Sequence, residues 1–344
     1  MKNAANLLAS EQKTSEKTSN SNIINYSNNY NAERLENSPK SPSPSLSSSS
    51  LSDDKVSQND SIVTEDDIKS VDDYVVKVTE SDSFVNKLLK IEDEKLEMHE
   101  KYLKETGLVR NFFQGFQMKK QSDENMINRN FLKQSFVDFM DSDCQCVISW
   151  ARKIEDFDQL TLEDQTGLIE QNFLEVILIG YIWRSIEKSI STNEMCFAIN
   201  EYCTLNRSMC KEIGIVEVYD QIVSIATQLR KIGTTRNEYI CLKVLALFKS
   251  YYGFETSENI RLREKCFMSL RKATHESNQK HHFRYDSYLI LLGEIKTLSI
   301  RLMSCFSNFH NDCKIEMPNL LSDMCLSQSY NSSFSYLEKS KESC

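Results

Sequence analysis

Apolar residues recur at helical spacing from about residue 81 onward. In FVNKLLKIEDEKLEMHEKY, residues Phe84, Leu88, Ile91, Lys95 and Met98 step round one face of a helix. The same period predicts helices at about 130–154, 163–188, 207–231, 236–250, 257–277 and 282–310. MCFAINEYC, from Met195 to Cys203, breaks the period and reads as a small hairpin. Within the second of these helices, Phe173 to Trp183 is apolar almost all the way round, so it belongs at the centre of a core. The run is too short for a bilayer, which needs ~20 apolar residues. It ends in Arg184, a cation that needs a partner if it is buried.

The pattern divides the chain into three. Residues 1–80 are rich in Ser, Asn and acidic side chains; the stretch SPKSPSPSLSSSSLSDD, from Ser38, cannot bury enough surface to offset chain entropy. It is expected to be disordered, with Ser38, Ser41 and Ser43, each followed by proline, as candidate phosphorylation sites. Residues 81–325 form one mainly α domain, larger than a four-helix bundle and therefore built of stacked helical layers. Residues 326–344 are a polar tail.

Composition narrows the function classes. A net charge of -9 without a Lys/Arg cluster argues against a nucleic-acid surface. All eleven cysteines lie at or after Cys144 with no C-x-x-C pair, which fits a reducing compartment and gives no zinc spacing. The five histidines read mostly as isolated surface residues, so neither a metal nor a cofactor is implied. No signal peptide or membrane span is visible. No nucleophile elbow, glycine-rich phosphate loop or H-E-x-x-H helix is present, so an enzyme is not expected.

WARKIEDFDQLTLEDQTGLIEQNFLEVILIGYIWRS, from Trp150, resembles the signature of nuclear receptor ligand-binding domains. The likeness is carried by Trp150, Ala151, Arg152, Phe157, Leu160, Asp164, Gln165 and Leu168. FAINEYCTLNRSMCKEIGIVEVYDQI is similar to the hairpin and seventh helix of the estrogen receptor and estrogen-related receptor branch. NEYICLKVLALFKS is similar to its eighth helix, and YLILLGEIKTLSIRLMSCF to its dimer-forming tenth and eleventh. The resemblance covers about 81–325. It implies an all-α, three-layer antiparallel helical sandwich with one small β-hairpin.

In that branch an arginine ending the fifth helix faces an acidic residue on the third, and together they bind a phenol or carbonyl of the ligand. Here the arginine is Arg184. The acid falls on Asp143, two turns before Trp150. A structural ion pair with no ligand is the alternative reading. The other positions carried over to a ligand site are Phe136, Val137 and Met140, then Phe173, Ile177, Leu178 and Tyr181. Phe197, Val218, Ile222, Cys305 and Phe306 complete it. Cys305 stands where steroid-binding members hold a histidine, and Met140 where they hold a small residue. Asp143 is also shorter than the family's glutamate. These departures imply a small pocket filled partly by its own Phe, Met and Tyr side chains.

After Pro318, NLLSDMC resembles the family's final activation helix, with Leu320, Leu321, Asp323 and Met324 in its pattern and Asp in place of Glu. The resemblance implies a groove for an L-x-x-L-L helix of a coregulator. Asp323 and Arg152 would cap the two ends of that helix, and Ile148, Leu162, Thr166, Ile169 and Glu170 would form floor and rim. Partners implied are such coregulators, a second receptor in a homo- or heterodimer, and a lipophilic small molecule, acting in the nucleus. Residues 1–143 contain no cysteine, so the family's zinc-finger module is not in this stretch and direct DNA contact is not expected. A competing reading is a dimerising scaffold that sequesters partners without sensing a ligand.

Overall fold

The computed structural model describes residues 65–118, 125–249, 256–277 and 283–327, with side chains from 83–114 and from 129 onward within those spans. Of the segment expected to be disordered over 1–80, residues 1–64 with the Ser-Pro sites lie outside the described residues, as do residues 328–344 of the tail expected from 326. In chain order the helices are α1 (Glu65–Thr106), α2 (Leu108–Met118), α3 (Asn125–Ala151) and α4 (Leu162–Thr192), then strands β1 (Phe197–Ala198) and β2 (Thr204–Leu205). They continue with α5 (Arg207–Ile213), α6 (Val216–Ile232), α7 (Arg236–Leu247), α8 (Ser257–Ser277) and α9 (Arg284–Asn311). A last helix, α10, covers 319–327.

The apolar run of α4 sits where its sequence predicts. Phe173, Leu174, Val176 and Leu178 are fully buried, and α4 packs on α3, α6, α7 and α9. A second contact series runs from α7 to α8 and α1. The result is a layered helical sandwich around α4 and α7, with one two-stranded antiparallel sheet that pairs Phe197 with Leu205.

Three features depart most from the sequence reading. The start expected near 81 falls inside α1, which already begins at Glu65. The single helix expected over 207–231 is two, because Gly214 adopts φ 93° and accommodates the left-handed end of α5 without a Cβ penalty. Helix α2 was not expected at all; LVRNFFQGFQM is short, yet its strongly one-sided apolar face seats Phe112 fully in the core beside Phe139.

Two polar clusters lock the layers. Lys243 of α7 is fully buried and reaches both oxygens of Glu92 on α1, at 2.7 and 2.5 Å, under the ring of Trp150. Arg284, opening α9, donates to the Ile232 and Gly233 carbonyls that end α6, at 2.6 and 2.7 Å. It also grips both oxygens of Glu238 near the start of α7.

Candidate functional site

Asp143 and Arg184 are brought to the same region by α3 and α4, but they do not pair with each other. The Asp143 carboxylate is buried and accepts the Tyr181 hydroxyl at 2.7 Å. The Tyr181 oxygen also lies 3.1 Å from Met140 Sδ, and its ring packs on Phe197 with centroids 5.3 Å apart. Burial, then the negative charge of Asp143, pushes the Tyr181 phenol well above its ordinary range, so it stays a donor. Arg184 is only half-buried. Its guanidinium lies 5.1 Å over the Tyr181 ring, and its Nε is buried with no hydrogen-bond partner among the described residues. The direct ion pair expected from the sequence is thus replaced by a tyrosine standing between the two charges. A phenol can be held between them because its O–H serves the carboxylate while its ring face serves the cation.

Each partner of Tyr181 is positioned by local chemistry. The Ser185 hydroxyl donates to the Tyr181 carbonyl at 2.7 Å and accepts the Ala198 N–H at 3.0 Å, which pins the hairpin and so Phe197 against α4. Gly180 keeps room for the arginine: a Cβ there would stand 3.3 Å from Arg184 Nη1.

His99 of α1 closes the other side of Asp143. It is 4% exposed, with Nδ1 3.9 Å from Asp143 Oδ1 and Nε2 3.0 Å from Ser142 Oγ. Burial pushes its imidazole below the ordinary value, against the pull of Asp143, so it is neutral at pH 7. Sequence reasoning placed the histidines at the surface and Met98 on the buried face of α1. Instead Met98 is 54% exposed and His99 points inward, one position further round the helix. A polar residue one step off an apolar stripe gives no periodic signal.

The remaining ligand-site residues line the same interior. Phe136, Val137, Phe173, Ile177, Leu178, Val218 and Ile222 are all buried, and Phe136 faces Phe306 with centroids 6.2 Å apart. Cys305 departs from this group. It is half-buried on α9, near Glu217 and Arg301, and its thiol is pushed up chiefly by burial.

Helix α10 lies along α3. Upstream of it, Gln134 donates to the Glu316 carbonyl at 2.9 Å and accepts the Glu316 N–H at 3.2 Å, a two-way amide clasp. Asp141 then accepts the Leu321 N–H at 3.2 Å in the first turn of α10, where backbone donors are otherwise unsatisfied. Leu320, Leu321 and Met324 are buried beneath the helix. Asp323 stays half-exposed, facing Glu170, whose carboxyl is pushed up by burial and by Asp323 despite a hydrogen bond from Ser327. On the adjoining surface Ile148 and Ile169 are buried, Leu162 is 37% exposed, and the Thr166 hydroxyl has no hydrogen-bond partner among the described residues. Arg152 follows the end of α3 directly and is partly buried, which lowers its affinity for its proton.

Among the described residues no group of His, Cys, Asp and Glu could hold a metal ion, and no helix is long and apolar enough to cross a membrane. Residues 121–310 match the family model for the ligand-binding domain of nuclear hormone receptors. The chain is 30% identical over 214 residues to an estrogen receptor of Taeniopygia guttata, covering 57% of this chain and 36% of that protein. It is 28% identical over 215 residues to an estrogen receptor beta of Anguilla japonica, covering 59% of this chain and 37% of the relative. An estrogen receptor of Xenopus laevis shares 38% identity over 112 residues. The chain spans little more than a third of the length of the first two relatives. With a layered helical fold, a small hairpin and a family match over more than half of its residues, the chain belongs to the nuclear hormone receptor ligand-binding domains.

Proposed function

We propose that the chain is a nuclear-receptor-type regulator of transcription that takes its active shape without a ligand and recruits L-x-x-L-L coregulators. The observation that carries this reading is the Tyr181 hydroxyl on Asp143. The acid that the family resemblance assigns to a ligand's phenol already holds a phenol supplied by the chain. Phe197 and Met140 pack directly on it, and Phe136 and Phe306 face each other in the same buried core. With the interior self-filled, α10 rests on α3 through Asp141 and Gln134.

A partner helix would then lie over Ile148, Leu162, Thr166 and Ile169. Its positive N-terminus would face Asp323 and its negative C-terminus Arg152, each contact giving ~0.3–1 kcal/mol when exposed. Leu326, 54% exposed on α10, extends that apolar surface. Pairing with a second receptor would use α9, where Ile290 and Ile300 are 67% and 60% exposed. The chain acts in this reading as a nuclear binding module and not as an enzyme.

The test is an anisotropy titration of a labelled L-x-x-L-L peptide onto the chain without added ligand. Binding in the micromolar range, lost in both Asp323→Ala and Arg152→Ala, is expected. Binding that appears only after a lipophilic ligand is added would overturn the ligand-independent part. No binding under any condition would favour a scaffold that sequesters dimer partners.

A further inference from the structure

A cavity lies outside the Asp143 site, between α1 and α3. Its volume is about 150 Å³, and its walls include Lys95, Met98 and Tyr102 from α1 and Ser142, Cys146 and Trp150 from α3. That is room for about five water-sized volumes of ~30 Å³ each, or one small organic molecule. Met98 and Tyr102 are 54% and 40% exposed and leave it open to solvent.

The charged side chains that line this cavity are two lysines, Lys95 and Lys153. No carboxylate lines it. Lys153 at its edge is offset by Glu94 at 2.9 Å, but Lys95 is buried and shares one carboxylate, Glu92, with Lys243. Lys243 already occupies both Glu92 oxygens. Arg184 also stands near Cys146, with Asp143 as the acid on that side. Two further carboxylates, Asp138 and Asp141, lie near the Tyr102 hydroxyl; Asp141 is already engaged by Gln145 and the Leu321 N–H. The indole N–H of Trp150, 1% exposed, has no hydrogen-bond partner among the described residues. The buried Lys95 amine, an indole N–H without a partner among the described residues and an apolar rim together describe the complement of an amphiphilic anion.

We propose that this cavity binds a small organic carboxylate, its oxygens on Lys95 and its apolar body against Trp150, Met98 and Tyr102. The site is separate from the self-filled interior and does not depend on it. The two are linked through Ser142, which lines the cavity and lies 3.0 Å from His99, the residue that closes off Asp143.

Trp150 makes the proposal readable, because the chain has two tryptophans and the other, Trp183, can be replaced by Phe while keeping its stack on Tyr239. The full chain carrying Trp183→Phe is titrated with hexanoate and with its neutral counterpart hexanamide, at constant ionic strength. A saturable change in Trp150 emission with hexanoate is expected, about tenfold weaker with hexanamide, a gap of ~1.4 kcal/mol. Ser149→Glu, which puts a carboxylate into the half-buried cavity wall, is expected to abolish the response. Lys95→Met is expected to weaken it at least about tenfold. If Lys95→Met fails to fold by circular dichroism, Ser149→Glu carries the test. Equal response to hexanamide, no saturable response to hexanoate, or unchanged affinity in Ser149→Glu would each overturn the proposal.

Discussion

At the scale of single residues, Tyr181 and Glu92 show how this core tolerates charge. Removing only the hydroxyl, as in Tyr181→Phe, keeps the ring against Phe197 but leaves the buried Asp143 without its 2.7 Å donor. Urea denaturation at pH 7 is expected to show a loss of ~1–3 kcal/mol. Glu92 sets the acid limit. Burial pushes its carboxyl up, but Lys243 and Lys95 outweigh that, with the bonds from Lys243 and Tyr239, and hold it at about 2, against an ordinary 4.5. The folded chain therefore protonates Glu92 less readily than the unfolded chain. Its contribution is whole above pH 4.5 and is lost as pH falls toward 2. Helical circular dichroism followed from pH 6 to 2 should show a stability decline that flattens in Glu92→Gln. The family resemblance places Asp143 and Arg184 in one region. What stands between them is invisible there, because a tyrosine in an apolar run reads as packing until its hydroxyl is seen to have a partner.

At the scale of elements, legibility follows how much each segment depends on its own period. Helix α4 is apolar on every side and is predicted almost to its ends; α8 is found where its period places it. Helix α1 is harder, since half of its inner face beyond Ile91 is polar: Glu92, Lys95 and His99 are buried only because Lys243, Asp143 and Ser142 meet them there. Lys95 falls on the apolar stripe in sequence, but Glu92 and His99 lie off it and look solvated. Helix α10 depends on contacts outside itself in the same way. Its first turn is held by Asp141, so Asp141→Ala should loosen it by ~1 kcal/mol and weaken L-x-x-L-L peptide binding about fivefold. Asp141→Asn, which keeps an acceptor, should retain most of the affinity in the same anisotropy assay.

For the molecule as a whole, a self-filled interior predicts how stability responds to added compounds. A ligand that binds the folded state at a hundred times its Kd raises stability by ~2.7 kcal/mol. A lipophilic phenol is expected to leave the melting temperature unchanged in differential scanning fluorimetry, whereas saturating coregulator peptide should raise it. A rise with the phenol would mean that Tyr181 yields its place on Asp143. One long-range feature bears on a different property, the tolerance of the chain to conservative replacement. Arg284 serves the last carbonyls of α6 and both oxygens of Glu238 in α7 from the first residue of α9. A lysine there keeps the charge but has a single nitrogen, and cannot reach acceptors set in a planar fork on two helices. The substitution that chemistry ranks as mildest would leave several acceptors stranded at once, so inherited variation at position 284 should be as sparse for lysine as for any neutral residue.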